Sequence, residues 1–232
     1  MASVIYANAT EASHADATAL IEYDVTLDES QPTVNLHDDV DPFSDGSGDS
    51  PGFLVGYKSG SDEYRGLLRI TLPSTPNGAK SDPNKIVLKL KCKAITGSGS
   101  LLKLIDVKPI TRPPSIVDYT TLTWNKYDNT NDWDEAGALG EGDADRSTDY
   151  GYGTGTVREA GLIIRTKVDV GWNDIVIENK AYTGPAARNS LGMSWGSTID
   201  LHLSSTTGGH FQSTGYGAFY HTETQSAANR PY

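Results

Sequence analysis

Long apolar runs are missing from this 232-residue chain. No stretch approaches the ~18 residues that span a bilayer, so the sequence excludes a transmembrane helix; no membrane partner is expected. Cysteine is nearly missing too: the single Cys92 rules out an intrachain disulfide, a multi-cysteine zinc knuckle and a Cys-x-x-Cys redox pair. Its setting, the alternating run Lys89-Leu90-Lys91-Cys92-Lys93, suits a buried core thiol. Methionine is scarce, at 2, and apolar residues at helical spacing are few, which argues against a helical bundle. Positive charge is in the minority, with 19 Lys and Arg against 30 Asp and Glu and a formal net charge of -11. A surface of that sign repels phosphate backbones, so nucleic acid is not an expected partner. The first residues, Met1-Ala2-Ser3-Val4-Ile5-Tyr6-Ala7-Asn8, carry neither the basic nor the apolar part of a signal peptide. The expectation is a chain that acts without the secretory route, or else the mature part of an exported one.

What is present points to strands and turns. Glycine at 24, proline at 11 and 44 Ser plus Thr supply them, while 12 Tyr, 4 Trp and 4 Phe leave ample core material and exclude disorder. Of the 30 acids, 21 are Asp and 9 are Glu; Asp favours turns over helix interiors, so the acidity belongs in loops. Period-two segments recur at Leu20–Leu27, Gly52–Tyr57, Gly66–Leu72, Ile86–Ile95, Leu101–Val107, Leu162–Val168, Asp174–Ile177, Ile199–Leu203 and Gly217–Tyr220. In Ile86–Ile95 lysines alternate with apolar residues, as on a strand with one wet face. Clusters such as Pro76-Asn77-Gly78, Gly97-Ser98-Gly99 and Arg112-Pro113-Pro114 punctuate them, the second read as a hairpin tip. The pattern predicts an all-β, antiparallel, jelly-roll-like sandwich with little helix beyond a short one within Asn8–Ala19. Residues 1–50 form an N-terminal arm and first strands packing on a module of residues 50–232, a single domain overall.

Two acidic loops are long enough to carry function: His37–Pro51 and Asn125–Gly155. In the second, Trp133, Tyr150 and Tyr152 sit among polar residues and form either a platform for a sugar ring or a cover for the core edge. A neutral or cationic glycan suits that acidic loop. Asp128, Asp132 and Asp134 present several oxygens within a short stretch, the donor type a structural calcium takes, though solvated turn charges explain them as well. Trp124, after the alternating Thr121-Leu122-Thr123, reads as a core anchor. Catalytic signatures are weak. Gly97-Ser98-Gly99 lacks the strand-turn-helix context of a nucleophile elbow, the 5 His show no zinc-hydrolase spacing, and Gly151-Tyr152-Gly153-Thr154-Gly155 lacks the lysine of a phosphate loop.

Three strings in order carry a resemblance. Arg65-Gly66-Leu67-Leu68-Arg69-Ile70-Thr71-Leu72-Pro73 with Pro76-Asn77-Gly78-Ala79 and the strand Lys85–Ile95, then Leu122-Thr123-Trp124-Asn125, then Phe219-Tyr220-His221-Thr222-Glu223 with Asn229-Arg230-Pro231-Tyr232, resemble DNRLRE-type modules over roughly residues 50–232. The DNRLRE string itself is missing. The resemblance implies a non-catalytic β-sandwich, of a kind found beside polysaccharide-degrading domains, on cell surfaces and in viral structural proteins, several of which behave as carbohydrate-binding modules. With no signal and no companion domain in the sequence, the expected function is a virion component, a capsid decoration or a tail or fibre protein, located in the virion. Its expected partners are other virion proteins, its own copies or a glycan; the alternative is a secreted, extracellular polysaccharide-binding module. The chain stops at Tyr232, where related modules continue with a strand. That gap is expected to be filled by Val4-Ile5-Tyr6 of the same chain or by a neighbouring subunit in an oligomer.

Overall fold

The computed structural model describes residues 4–5, 18–37, 52–59, 62–75, 83, 85–97, 104–110, 112–138, 164–178, 194–205 and 215–220. These residues form eleven strands and no helix: β1 (Val4–Ile5), β2 (Thr18–Asp28), β3 (Leu36–His37), β4 (Gly52–Ser59), β5 (Asp62–Thr71), β6 (Lys85–Ile95), β7 (Leu104–Pro109), β8 (Ile164–Lys167), β9 (Gly171–Glu178), β10 (Thr198–Ser205) and β11 (Gly215–Tyr220). Every pairing is antiparallel. Each of the nine period-two segments overlaps a strand among the described residues. Of the expected helix, Thr18 and Ala19 belong to β2, and the rest lies outside the described residues.

The strands make one sheet nearly closed into a barrel. From β2 the pairings run through β1, β6, β11, β4 and β5, and β5 pairs back onto β2. On β5 this circuit carries β10, β7 and β8 in turn, and on β6 it carries β9. Closure at one point is thin, since Val4 and Ile5 pair with Ala19 and Thr18 and Ile5 alone pairs with Val87. The N-terminal segment thus folds back within its own chain. The expected hairpin between β6 and β7 is not formed by the described residues, since the two strands share no ladder and β7 lies between β10 and β8; Ser98 and Gly99 lie outside the described residues.

The pleat sorts the side chains. On β6, Ile86, Leu88, Leu90 and Cys92 point inward and are buried, and they meet Leu68, Ile70, Leu201 and Phe219 in the main core. Cys92 is a buried free thiol there, as its setting predicts. A register shift between Ile21 and Tyr23 changes which face β2 offers: Ile21 joins the main core, whereas Tyr23, Val25 and Leu27 face the other side of the sheet. On that outer side they join Leu67 of β5 and a second core, roofed by the irregular segment 112–138 through Val117, Tyr119, Leu122 and Trp124. Trp124 is the buried anchor that the sequence suggests.

Gly66 of β5 lies under Phe53, which stacks on Phe219 with ring centres 5.2 Å apart. A Cβ at Gly66 would come within 2.9 Å of the Phe53 ring. Gly66→Ala therefore trades a gain of about 0.4–1 kcal/mol in chain entropy against an overpacking cost of about 1–3 kcal/mol. A net loss of stability is expected in urea titration, with the midpoint moving down at unchanged slope.

Candidate functional site

The outer face of β5 and β10 begins as an electrostatic problem. Alternation places Arg65, Leu67 and Arg69 of β5 beside Asp200 and His202 of β10, and all are covered by segment 112–138. Arg69 solves it with a two-pronged pair to Asp200, Nε donating to Oδ1 and Nη2 to Oδ2, both at 2.8 Å. The same Nη2 donates to the carbonyls of Pro114 (2.7 Å) and Val117 (3.0 Å), and the guanidinium lies 4.6 Å from the Tyr119 ring centre. Burial works against the Arg69 charge, but the hydrogen bond and charge of Asp200 outweigh it and hold the guanidinium protonated. Arg65 repeats the device: Nη1 donates to the carbonyls of Gly137 (2.7 Å) and Ala136 (3.2 Å), Nη2 donates to Glu63 (2.6 Å), and the guanidinium sits 4.4 Å from the Trp124 ring centre. Arg112 closes the set, 2.6 Å from Asp134 and 4.3 Å from the Tyr127 ring centre. Three arginines thus pin an irregular loop by its carbonyls and its aromatic rings.

The sequence candidates on this loop are part of that architecture. Trp133 is 4% exposed, donates its indole N–H to the Thr123 carbonyl at 3.0 Å and meets Tyr127 edge-on at 5.6 Å. A sugar platform needs an open ring face, and this indole is spent on packing. Asp128 accepts from the Thr130 and Asn131 amides at 2.7 and 2.6 Å and from the Asn131 side chain at 2.8 Å. Those bonds, the Asn131 side chain first, hold its carboxyl below the usual range. Asp132 faces Lys126 at 3.8 Å, and Asp134 faces Arg112. The three carboxylates that a shared calcium would need do not meet; among the described residues no three His, Cys, Asp or Glu side chains gather into a metal site. Tyr150 and Tyr152 lie outside the described residues, as does most of His37–Pro51.

A different surface collects exposed aromatic and charged groups. The ladder between β6 and β9 pairs Lys91 with Trp172 and Lys89 with Asp174, and that between β6 and β11 pairs Cys92 with Phe219, which brings Tyr220 alongside. Because Leu90 and Cys92 point inward, Lys89, Lys91 and Lys93 point out. Lys91 Nζ lies 5.6 Å from the Trp172 ring centre and 5.7 Å from that of Tyr220, and Lys93 Nζ lies 5.6 Å from Tyr220. Trp172 is 42% exposed and Val176, on the same face of β9, 44%. On β6, β9 and β11 the described side chains include three lysines and one aspartate, a local excess of positive charge on a chain of net charge -11. The face combines broad apolar rings with cations on one side of a paired sheet. Sequence reading found its lysines as a wet face but missed Trp172, because the segment recognised as a strand began at Asp174. Extending the alternation back through Trp172-Asn173 would have found the ring, though not its lysine neighbour.

No family model matches the chain, and no curated protein matches it. The resemblance to DNRLRE-type modules therefore rests on its own residues, of which Arg65, Arg69 and Trp124 are placed together beneath or within the pinned loop.

Arg69→Met leaves the Asp200 carboxylate, 2% exposed, without its cation, and releases two loop carbonyls. A loss of about 3–5 kcal/mol is expected, most of it recovered when Asp200→Leu is added, because an apolar pair of similar volume avoids the buried lone charge. Urea unfolding of the two single variants and the double variant checks this. A single-variant cost below about 1 kcal/mol would mean that the pair does not hold the loop.

Proposed function

We propose that the chain is a non-catalytic virion surface protein, a capsid decoration or a tail or fibre component, built on a jelly-roll-like sandwich and meeting a glycan through the face formed by Lys91, Lys93, Trp172 and Tyr220. The observation that carries this reading is the Lys91 ammonium set between two aromatic rings on an exposed sheet face. A pyranose presents C–H groups on its flat side, and these pack on Trp and Tyr rings as any apolar surface does. Carboxylate or sulfate groups on the same sugar would meet the lysines. The favoured ligand is thus an acidic polysaccharide, opposite in charge to the one expected for the acidic loop. The ionisable groups buried under the loop are engaged in holding it, which supports a binding and assembly role over a catalytic one.

The same face supports a second reading, a secreted polysaccharide-binding module, since it asks only for a glycan. Mass spectrometry of purified particles from the source separates the two: presence at stoichiometric copy number fits a virion component, and absence favours the secreted module. Glycan binding is tested apart from location. On an array of neutral, cationic and acidic polysaccharides, binding to the acidic ones is expected. Trp172→Ala should weaken it at least tenfold, about 1.4 kcal/mol, and Lys91→Ala should reduce its dependence on salt. Undiminished binding by both variants would remove the face from the function.

A further inference from the structure

His202 is fully buried at the centre of the outer face, 0% exposed, and the ligand reading does not use it. Its Nε2 lies 3.2 Å from the Gly137 carbonyl. A carbonyl can only accept, so Nε2 carries the hydrogen and Nδ1 is the bare nitrogen. Nδ1 is buried with no hydrogen-bond partner. The Gly137 carbonyl that His202 holds is the one that Arg65 holds at 2.7 Å, so imidazole and guanidinium share one acceptor on the pinned loop.

The backbone at that point is left-handed. Gly137 has φ +77° and Ala138 φ 60°, a left-handed pair of which the second bears a side chain, and such backbone persists only where its surroundings over-determine it. A Cβ on Gly137 would run into Arg65 Nη1, so the fit is close as well. Charges of both signs surround the ring. From β5 come Arg65, paired with Glu63, and Arg69, and from β7 Lys108, paired directly across from His202, with Asp106 two residues further along. On its own strand stands Asp200, already committed to Arg69, and from the loop comes only the Gly137 carbonyl.

We infer that His202 is a proton-operated latch: neutral, it holds Gly137 of segment 112–138 on the sheet, and on taking a second proton it releases it. A proton on Nδ1 would find no acceptor and would add a cation between Arg65 and Lys108. Burial first, then those two cations, holds the imidazole well below its ordinary value in the closed state. When Gly137 lifts, water reaches the ring and its affinity for protons returns to normal, ~6.5. The open state thus binds more protons than the closed one, and acid favours opening. Each pH unit below ~6.5 multiplies the open population by about ten until the closed-state value is reached. The latch is independent of the glycan reading, since no part of it lies on β9 or β11.

Hydrogen exchange of the native chain, corrected for the intrinsic pH dependence, tests it at pH 7.5 and 5.5. Amides of Trp124, Trp133 and Gly137 are expected to exchange about tenfold faster at the lower pH, while those of β5 and β10 stay protected. His202→Gln keeps an N–H that can reach the Gly137 carbonyl but cannot titrate, and should abolish the acid response. Should that variant fail to fold, the ring C–H shifts of His202 in the native chain serve instead: they should titrate in step with loop opening. A loop whose protection ignores pH, an acid response retained by His202→Gln, a His202 that titrates near 6.5 with the loop closed, or loop and strands opening together would each overturn the latch.

Discussion

An irregular segment can be buried only if something other than a ladder satisfies its backbone; segment 112–138 does this with its own turn hydrogen bonds and Asn35, while Arg65 and Arg69 of β5 tie four more of its carbonyls to the sheet. Helices and sheets pair their own amides and carbonyls; a loop without them must borrow partners or stay wet. A guanidinium carries five N–H groups in a rigid plane, so one side chain can hold a carboxylate and two carbonyls at once, as Arg69 does with Asp200, Pro114 and Val117. Lysine, a point charge on a flexible stem, could not hold that plane. Asp200 in turn makes a buried cation tolerable. With the pair in place, Tyr119, Leu122 and Trp124 can dock on Leu67, Val25 and Leu27, and β5 becomes a strand buried on both faces.

How much of this could be read in the sequence follows from what pattern encodes. Alternation located the strands, because the pleat alone decides which side chain points inward. It does not supply the pairing order, and so Gly97-Ser98-Gly99 reads as a hairpin tip between strands that share no ladder among the described residues. Neither could it foresee the register shift in β2 that turns Tyr23, Val25 and Leu27 toward the loop. Arg65 and Arg69 were visible as strings, while their work depends on Asp200 and Gly137, far along the chain, which no local spacing announces. Trp133 shows another limit: its polar neighbours leave open a platform or a cover for the core edge, and only the packed segment shows the indole to be buried in the second core.

The two groups of cations differ in kind because their surroundings differ. Under the loop, where water is excluded and geometry is fixed, the ion pairs use arginine. On the open face of β6 the cations are lysines, whose stems lie along the sheet while their ammonium groups stay near water. Exchange between the two sites would fail both ways: a lysine at Arg69 would leave loop carbonyls unmet, and an arginine at Lys91 would stack flat on Trp172 and cover the ring.

Net charge and local charge then act on an anionic ligand at different ranges. At a distance the chain's net charge of -11 repels it. Within a Debye length, about 8 Å at physiological salt, Lys89, Lys91 and Lys93 outweigh Asp174 among the described side chains of these strands. Salt screens the distant repulsion more strongly than the close contacts, so moderate ionic strength helps approach before it weakens the bound state. If the face binds an anion, as proposed, the balance of the two ranges favours ligands that also cover Trp172 and Tyr220 over those held by charge alone.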